Sequence, residues 1–571
     1  MQGGIVLKYR FFMMTHEWSD RLADRLAAEG VNAVRFHHQD SAYTNPEMLE
    51  RFDYFIAALK KRGIYITTDL YVTFRPPATE IPEIGERPSK SIIDAKEYKG
   101  LFYVMDAVFE HYRRRVSGWL THVNPYTGIA IKDEPALISL SYLNETNVNA
   151  FWNNTPLTTS LYLKAFEGYC RERGISSAPG PDRALYFDEF LTSLYLKRYR
   201  QMKEFIAQLG VDKPFTDQNM HMSPRLAGMR GLYDYVDNHI YHAHPTFIGP
   251  NKTMPLRFDP ETALKSPLRA PGALFVSRLY GKPFTITEFD FPRPNRYRAE
   301  GGPVVGAYSA LQGYDAIFHF AYAHSPGRVY GNQPATSAAA DPFDSTSDPV
   351  KALSLRIGGA LFLYGGVEAA PVSYVVLQNG TDGTLFSQKY PIELDDLGLI
   401  GKVGTILAPD LSAAAGLLPK NTAALLDSGY NFPAGKSSLP VVDAKPQHLL
   451  ARMQEKKLIE PEWYDAERGI FRSATGQIEL DRKNARFTVS APGVEVMILP
   501  PGEKARGKFM TCAIKGRGKG EILKYMAECK FDTSHLPCEI WPVQKAKEAF
   551  EYQDKHGYNV FKILLDWREV K

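Results

Sequence analysis

Two stretches of this chain end an apolar run on a carboxylate. ALISLSYLNETN, from Ala136 to Asn147, carries Asn144 and Glu145, and KPFTITEFD, from Lys282 to Asp290, carries Glu288. Each reads as a short buried strand that runs into a loop, the second into the proline-rich FPRPNRYRAEGG. Two strand-end glutamates facing one cleft can divide the breaking of a glycosidic bond, one giving a proton and the other attacking the sugar carbon. Taken singly, such a glutamate is more often an ion-pair partner or a cap, so the surrounding elements have to decide.

Those elements repeat. Gly4 to Phe12 is apolar enough for a first strand, and Ser19 to Glu29 sets Leu22, Ala23, Leu26 and Ala27 at helical spacing between an N-cap at Ser19 and a C-cap at Gly30. VNAVRFHH follows as a strand by its Val and Phe content. Pro46 to Lys61 predicts the next helix, IYITTDLYV the third strand, Leu101 to Trp119 another helix, and Leu185 to Leu209 a long amphipathic one. With KPFTDQN, YDYVDNHIYHAH, the Glu288 stretch and YDAIFHFAYAH, eight strand candidates result.

Alternating strands and helices predict an α/β fold with a parallel sheet, and eight units predict a closed (β/α)8 TIM barrel whose chemistry gathers at the C-terminal strand ends. Arg35, His37, Asp69, Asn144, Glu145, Asn219, His239, Tyr241 and Glu288 all fall late in their strands, which puts Glu145 on strand four and Glu288 on strand seven. His37 shares the face of Arg35, two residues before it, whereas His38 points the other way. The barrel is assigned to residues 1–368. Beyond it helical periodicity fades and short strands with turns predict a β-rich, sandwich-like accessory domain over 369–505. A mixed α/β extension over 506–571, with a helix at Val543 to His556, has no role legible in the sequence.

Composition narrows the classes. The 571 residues are 44% hydrophobic and 23% charged, ordinary for a globular chain of more than one domain. The formal net charge of +4 forms no basic block, so nothing calls for nucleic acid or an anionic membrane. No apolar run reaches the ~20 residues of a membrane span. MQGGIVLKYR lacks the pattern of a signal peptide, and export stays open for a leader removed beforehand. Cys170, Cys512, Cys529 and Cys538 make no CxxC spacing and read as buried thiols. HIYHAHP offers His239, His242 and His244 without a carboxylate arrangement to complete a metal site, so neither metal nor cofactor is expected. Homo-oligomer formation is left open.

Several motifs stand in a telling order: GVNAVRFHH at Gly30, GIYITTDLY at Gly63, NPYTG at Asn124, LNE at Leu143, DNHIY at Asp237, PFTITEF at Pro283 and DPVKAL at Asp348. Through them the barrel region resembles the retaining glycoside hydrolases of clan A, the superfamily that includes family 5 cellulases and mannanases, and most of all bacterial cellulase-like hydrolases. The resemblance implies an oligo- or polysaccharide substrate with β-glycosidic bonds, Glu145 as acid/base, Glu288 as nucleophile, Asn144 as donor to the sugar 2-hydroxyl, and Arg35 and Tyr241 as supports of the nucleophile. An Arg and a Tyr beside Glu288 would hold it ionised, whereas Glu145 has to stay protonated until attack, through partial burial or a nearby negative charge. Retention requires carboxyls roughly 5–5.5 Å apart. His37 and His239 are candidate sugar contacts, and Trp152, Tyr142, Tyr297 and Phe291, on the loops after the two strands, are candidate stacking faces. The chain departs from the family pattern at Tyr71, where a His commonly ends strand three, and in IFHFAY, where His319, Phe320 or Tyr322 stands for a Trp. A barrel that binds carbohydrate without turning it over is the competing reading.

Overall fold

The computed structural model describes residues 3–8, 14–85, 88, 91–147, 149, 151–248, 256–265, 267–324, 329, 341–364, 366–380, 390–427, 437–445, 447–500, 502–508, 511–513, 538–542, 548 and 562–566. They cluster into two compact units, Met1–Ile498 and Leu499–Lys571.

The eight expected strands are present in the first unit: β1 Gly3–Lys8, β2 Ala33–His37, β3 Tyr65–Asp69, β4 Leu137–Ser141, β5 Phe215–Thr216, β6 Val236–Tyr241, β7 Phe284–Asp290 and β8 Ala316–Ala323. They form one sheet in the order β5-β4-β3-β2-β1-β8-β7-β6, parallel throughout. One expectation is corrected: among the described residues no ladder joins β5 to β6, so the hydrogen-bonded barrel is not closed. Pro214 cannot donate and β5 pairs over only two residues. The seam is held instead by single bonds, Asp234 N to Phe215 O at 3.0 Å and Thr216 Oγ1 to Asp237 Oδ1 at 3.1 Å.

The first helix, α1 His16–Ala28, starts earlier than expected because Thr15 caps it and Ser19 is buried inside it. α2 Pro46–Lys61 has the predicted bounds, with Asn45 as cap. The expected helix from Leu101 is two, α3 Ala95–Val104 and α4 Asp106–Leu120, broken at the extended Met105. Helices α5 Pro156–Arg173 and α6 Arg183–Gln208 follow the Glu145 loop. Further on, α7 Gly301–Gln312 and α8 Pro349–Leu363 pack backbone to backbone: a Cβ on Gly302 would overlap the Ser354 carbonyl, one on Gly306 the backbone of Gly358, and one on Gly358 the backbone of Gly302.

The sandwich-like expectation is also corrected. β9 Ser373–Gln378, β10 Lys402–Leu407, β11 Thr422–Asp427 and β12 Val441–Asp443 form a parallel sheet in the order β10-β9-β11-β12. SYVVLQ is buried along its whole length, the pattern of a parallel strand covered on both faces rather than of an alternating sandwich strand. Only Tyr464–Ile498 is an antiparallel five-stranded meander. In the second unit the described strands are Lys504–Arg506 paired antiparallel with Thr511–Ala513, and Cys538–Pro542 paired parallel with Lys562–Asp566. The helix expected at Val543 to His556 lies outside the described residues but for Glu548. Cys170 is a buried free thiol.

Candidate active site

Period-two alternation on β2 brings Arg35 and His37 to the inner face, and Arg35, 2% exposed, is the hub. Its Nη1 donates to Glu288 Oε1 at 2.8 Å, and its Nη2 donates to Asp69 Oδ2 at 2.6 Å and Asn144 Oδ1 at 2.8 Å. The other Glu288 oxygen accepts from the Tyr241 hydroxyl. Burial works against the Arg35 charge, and Asp69 and Glu288 more than restore it. Asp69 is fully buried, and burial lifts its carboxyl to about 6 despite Arg35. Because Asn144 accepts through its carbonyl, its NH2 is left to donate to a ligand.

His239 sits between the two glutamates. Its Nδ1 is 3.2 Å from Glu145 Oε1 and 3.5 Å from Glu288 Oε2. Its Nε2 meets Thr287 Oγ1 at 3.0 Å, and that hydroxyl donates to Asp237 Oδ2 at 2.6 Å. The hydroxyl proton is committed to Asp237, so Nε2 carries a proton and Nδ1 is the position shared with Glu145. Burial lowers the His239 pKa, but the Glu288 charge and the Glu145 bond reverse this and raise it overall.

Glu145 differs from the expected buried, protonated acid. Its side chain is 41% exposed, and although desolvation raises its carboxyl, the His239 bond and charge, followed by Lys99 and Arg35, bring it to about 2. Its backbone is left-handed at φ 47°, held by its own N–H to Asn219 Oδ1 at 2.8 Å and by Lys99 Nζ donating to the Asn144 carbonyl. His38, Gln218, His221 and Ala243 have positive φ too, each just past a barrel strand, so backbone strain gathers at the C-terminal rim. An oxygen of Glu145, an oxygen of Glu288 and a nitrogen of His239 all lie within 4.8 Å of one another.

The wall beyond is aromatic. Phe320 meets His37 edge-on at 5.4 Å, and Phe343 packs against Phe320 at 5.5 Å, Tyr241 at 5.7 Å and His244 at 5.3 Å. Phe343 reaches this place because Lys351 Nζ, bonded to Asp290 at 2.6 Å, also donates to its carbonyl at 2.9 Å. Of the strand-eight candidates only Phe320 joins the wall. His319 is tied to Asp290 at 2.8 Å in the buried layer, and Tyr322 faces Arg25.

The structure thus brings together Arg35, His37, Asn144, Glu145, His239, Tyr241 and Glu288. It draws three of the other aromatic candidates into packing, and Tyr297 lies beside Arg296, whose guanidinium is 4.7 Å from its ring centre. Trp152 packs edge-on against Phe187, Tyr142 stacks on Phe215, and Phe291 is buried under Gly301. Tyr71 bonds to Phe74 O and stacks on Tyr98, in the core. Lys99 and Phe343 were missed. A lysine inside a helix and a phenylalanine in a late loop carry no local signal, although the DPVKAL motif holds the Lys351 that sets Phe343.

No protein-family model and no curated protein matches this chain. Among solved structures it is similar to an endo-1,4-β-D-mannanase from Thermotoga petrophila, at 15% identity over 63% of this chain and 99% of that one, with a TM-score of 0.43. It is similar as well to β-galactosidases from Halorubrum lacusprofundi, at 16% identity over 75% and 69% of the two chains, and from Marinomonas ef1, at 13% over 75% and 72%, both with a TM-score of 0.47. Likeness this distant leaves the function to the geometry.

Proposed function

We propose that this protein is a retaining glycoside hydrolase that cleaves β-glycosidic bonds by double displacement, with Glu288 as nucleophile and Glu145 as acid/base. The observation that carries this reading is the pair itself: two glutamate oxygens within 4.8 Å across one cleft, one carboxylate deeply buried and clamped, the other open and in contact with a histidine. That proximity suits a retaining pair better than the wider carboxyl separation of an inverting one. Both Glu288 oxygens already accept from Arg35 and Tyr241, which is the setting of a positioned nucleophile rather than of a metal ligand.

In the first step Glu288 forms a bond to the anomeric carbon as the bond to the leaving oxygen breaks, and Glu145 gives that oxygen a proton. In the second, Glu145 takes a proton from water, whose oxygen attacks the same carbon and frees Glu288. With the Glu145 carboxyl held low and the His239 pKa raised, the shared proton lies on the His239 side of the 3.2 Å contact and passes to Glu145 as the bond breaks. Asn144 is placed to donate to the sugar 2-hydroxyl, and Phe320 with Phe343 to offer an apolar wall.

The test uses dinitrophenyl β-glycosides of glucose, mannose, galactose and xylose. Glu288→Ala is expected to abolish turnover. Glu145→Ala is expected to keep the first step with this acid-independent leaving group and to gain rate and a glycosyl azide product when azide is added. Turnover that survives Glu288→Ala would overturn the assignment, and binding without turnover in the unaltered protein would favour a carbohydrate-binding barrel.

A further inference from the structure

At the N-terminal ends of the strands, the chain builds a second polar cavity of about 290 Å3, at the lower edge of the ~300–1,000 Å3 usual for ligand sites. Arg278, Tyr280 and Lys282 enter it from the segment just before β7, and Ser373 and Lys402 from the first residues of β9 and β10. Phe284, in its wall, precedes Glu288 by four residues, about 13 Å at the rise of a strand. The cavity is therefore separate from the carboxylate cleft.

Two of its cations, Arg278 and Lys402, lack a carboxylate partner among the described residues, whereas Lys282 donates to the Tyr233 carbonyl and feels the Asp234 charge. Arg278 is 7% exposed, yet no carboxylate among the described residues comes within 4 Å of its guanidinium, which lies 5.3 and 5.4 Å from the ring centres of Tyr280 and Tyr314. Among the described residues Lys402 has no carboxylate partner either; burial and then the Arg278 charge push its ammonium down. The one acid in the lining, Asp315, accepts from the Phe284 amide at 2.9 Å and pairs with neither. The Tyr280 hydroxyl is buried, near Ser373 and Arg278, without a hydrogen bond of good geometry. A buried guanidinium facing a second cation is costly unless an anion joins them.

The wall is rigid. Gln312 spends both ends of its amide on Gly398 O, Gly401 O and Val403 N, and Arg278 O and Tyr280 N bond to Thr405 of β10 at 2.8 and 3.0 Å. We propose that this cavity binds the oxyanion group, phosphate or carboxylate, of a small polar molecule between Arg278 and Lys402. The guanidinium fork takes two oxygens, the ammonium and the Tyr280 hydroxyl take the rest, and the remaining volume accepts a body the size of one sugar. The bound molecule would brace the barrel sheet against the parallel sheet.

Isothermal titration and thermal unfolding of the full chain with inorganic phosphate, glucose 6-phosphate and glucuronate test this, beside Arg278→Met and Lys402→Met. Saturable binding with a raised Tm is expected from at least one probe, weakened tenfold or more in Lys402→Met, whose half-buried position spares the fold. The preferred probe identifies the group. Without anion, Lys402→Met is expected to raise Tm by about 2 °C, because it removes the repulsion, and the order of the two Tm values should reverse at saturating probe. No saturable response to any of the three probes, or equal affinity in both proteins, would overturn the proposal, whatever the protein does to glycosides.

Discussion

Asp69→Asn isolates how the buried charges of the site are balanced. Asp69 is fully buried, and although Arg35 reaches it at 2.6 Å, burial, with Asp237 and Glu288 adding to it, lifts its carboxyl from 3.8 to about 6. An unfolded chain releases this proton near 3.8 and the folded one near 6, so the wild type loses stability as pH rises through that window. A shift of about two units at 1.36 kcal/mol each gives a loss of about 3 kcal/mol. Asparagine keeps the shape and does not titrate. The difference between a protonated carboxyl and an amide beside Arg35 adds an offset that is the same at every pH. Urea unfolding of both proteins, followed by tryptophan fluorescence between pH 3.5 and 7.5, gives the difference. The stability of Asp69→Asn minus that of wild type is expected to rise by about 3 kcal/mol across the range. A difference that stays flat, or falls with pH, would refute the reasoning.

Tyr241→Phe removes the hydroxyl that donates to Glu288, a hydrogen bond to charge worth about 1.5–3 kcal/mol, so kcat/KM is expected to fall about 10–100-fold and Tm to drop by a few degrees. In wild type the raised His239 pKa keeps the shared proton above the ordinary histidine range, so the alkaline limb of kcat/KM should lie above pH 6.5. His239→Asn leaves the proton to Glu145 alone and should move that limb to lower pH, and an unmoved limb in the pH–rate profile would count against the proton path. Gly302→Ala puts a methyl into the Ser354 carbonyl with backbone on both sides, so it should cost about 3 kcal/mol and lower Tm by several degrees; an unchanged Tm would show that the two helices can part freely.

The eight strands and the seven polar residues of the cleft were legible because each signal is local: a short apolar run, a polar residue at its end, and alternation that decides which side chain faces in. Other features depend on partners far along the chain. SYVVLQ reads equally as a sandwich or a parallel strand, and only KVGTIL and TAALLD beside it decide. The open seam follows from Pro214 and the two-residue β5, a detail that the count of strands conceals. Trp152, Tyr142 and Phe291 follow the right strands, but Phe187, Phe215 and Gly301 draw them into packing. Phe343 enters the cleft through a buried lysine 61 residues after Asp290. Glu145 departs from the protonated acid that the sequence suggests, because the contact with His239 pulls its carboxyl down.

The most direct test of the account is the intact mass of the protein after incubation with activated 2-deoxy-2-fluoro glycosides of the gluco, manno, galacto and xylo series, followed by peptide mapping. A single covalent sugar on Glu288, absent from Glu288→Ala, is the predicted result and would identify the nucleophile, the retaining mechanism and the sugar together. An adduct on another carboxylate, or none from any of the four on the folded protein, would contradict it.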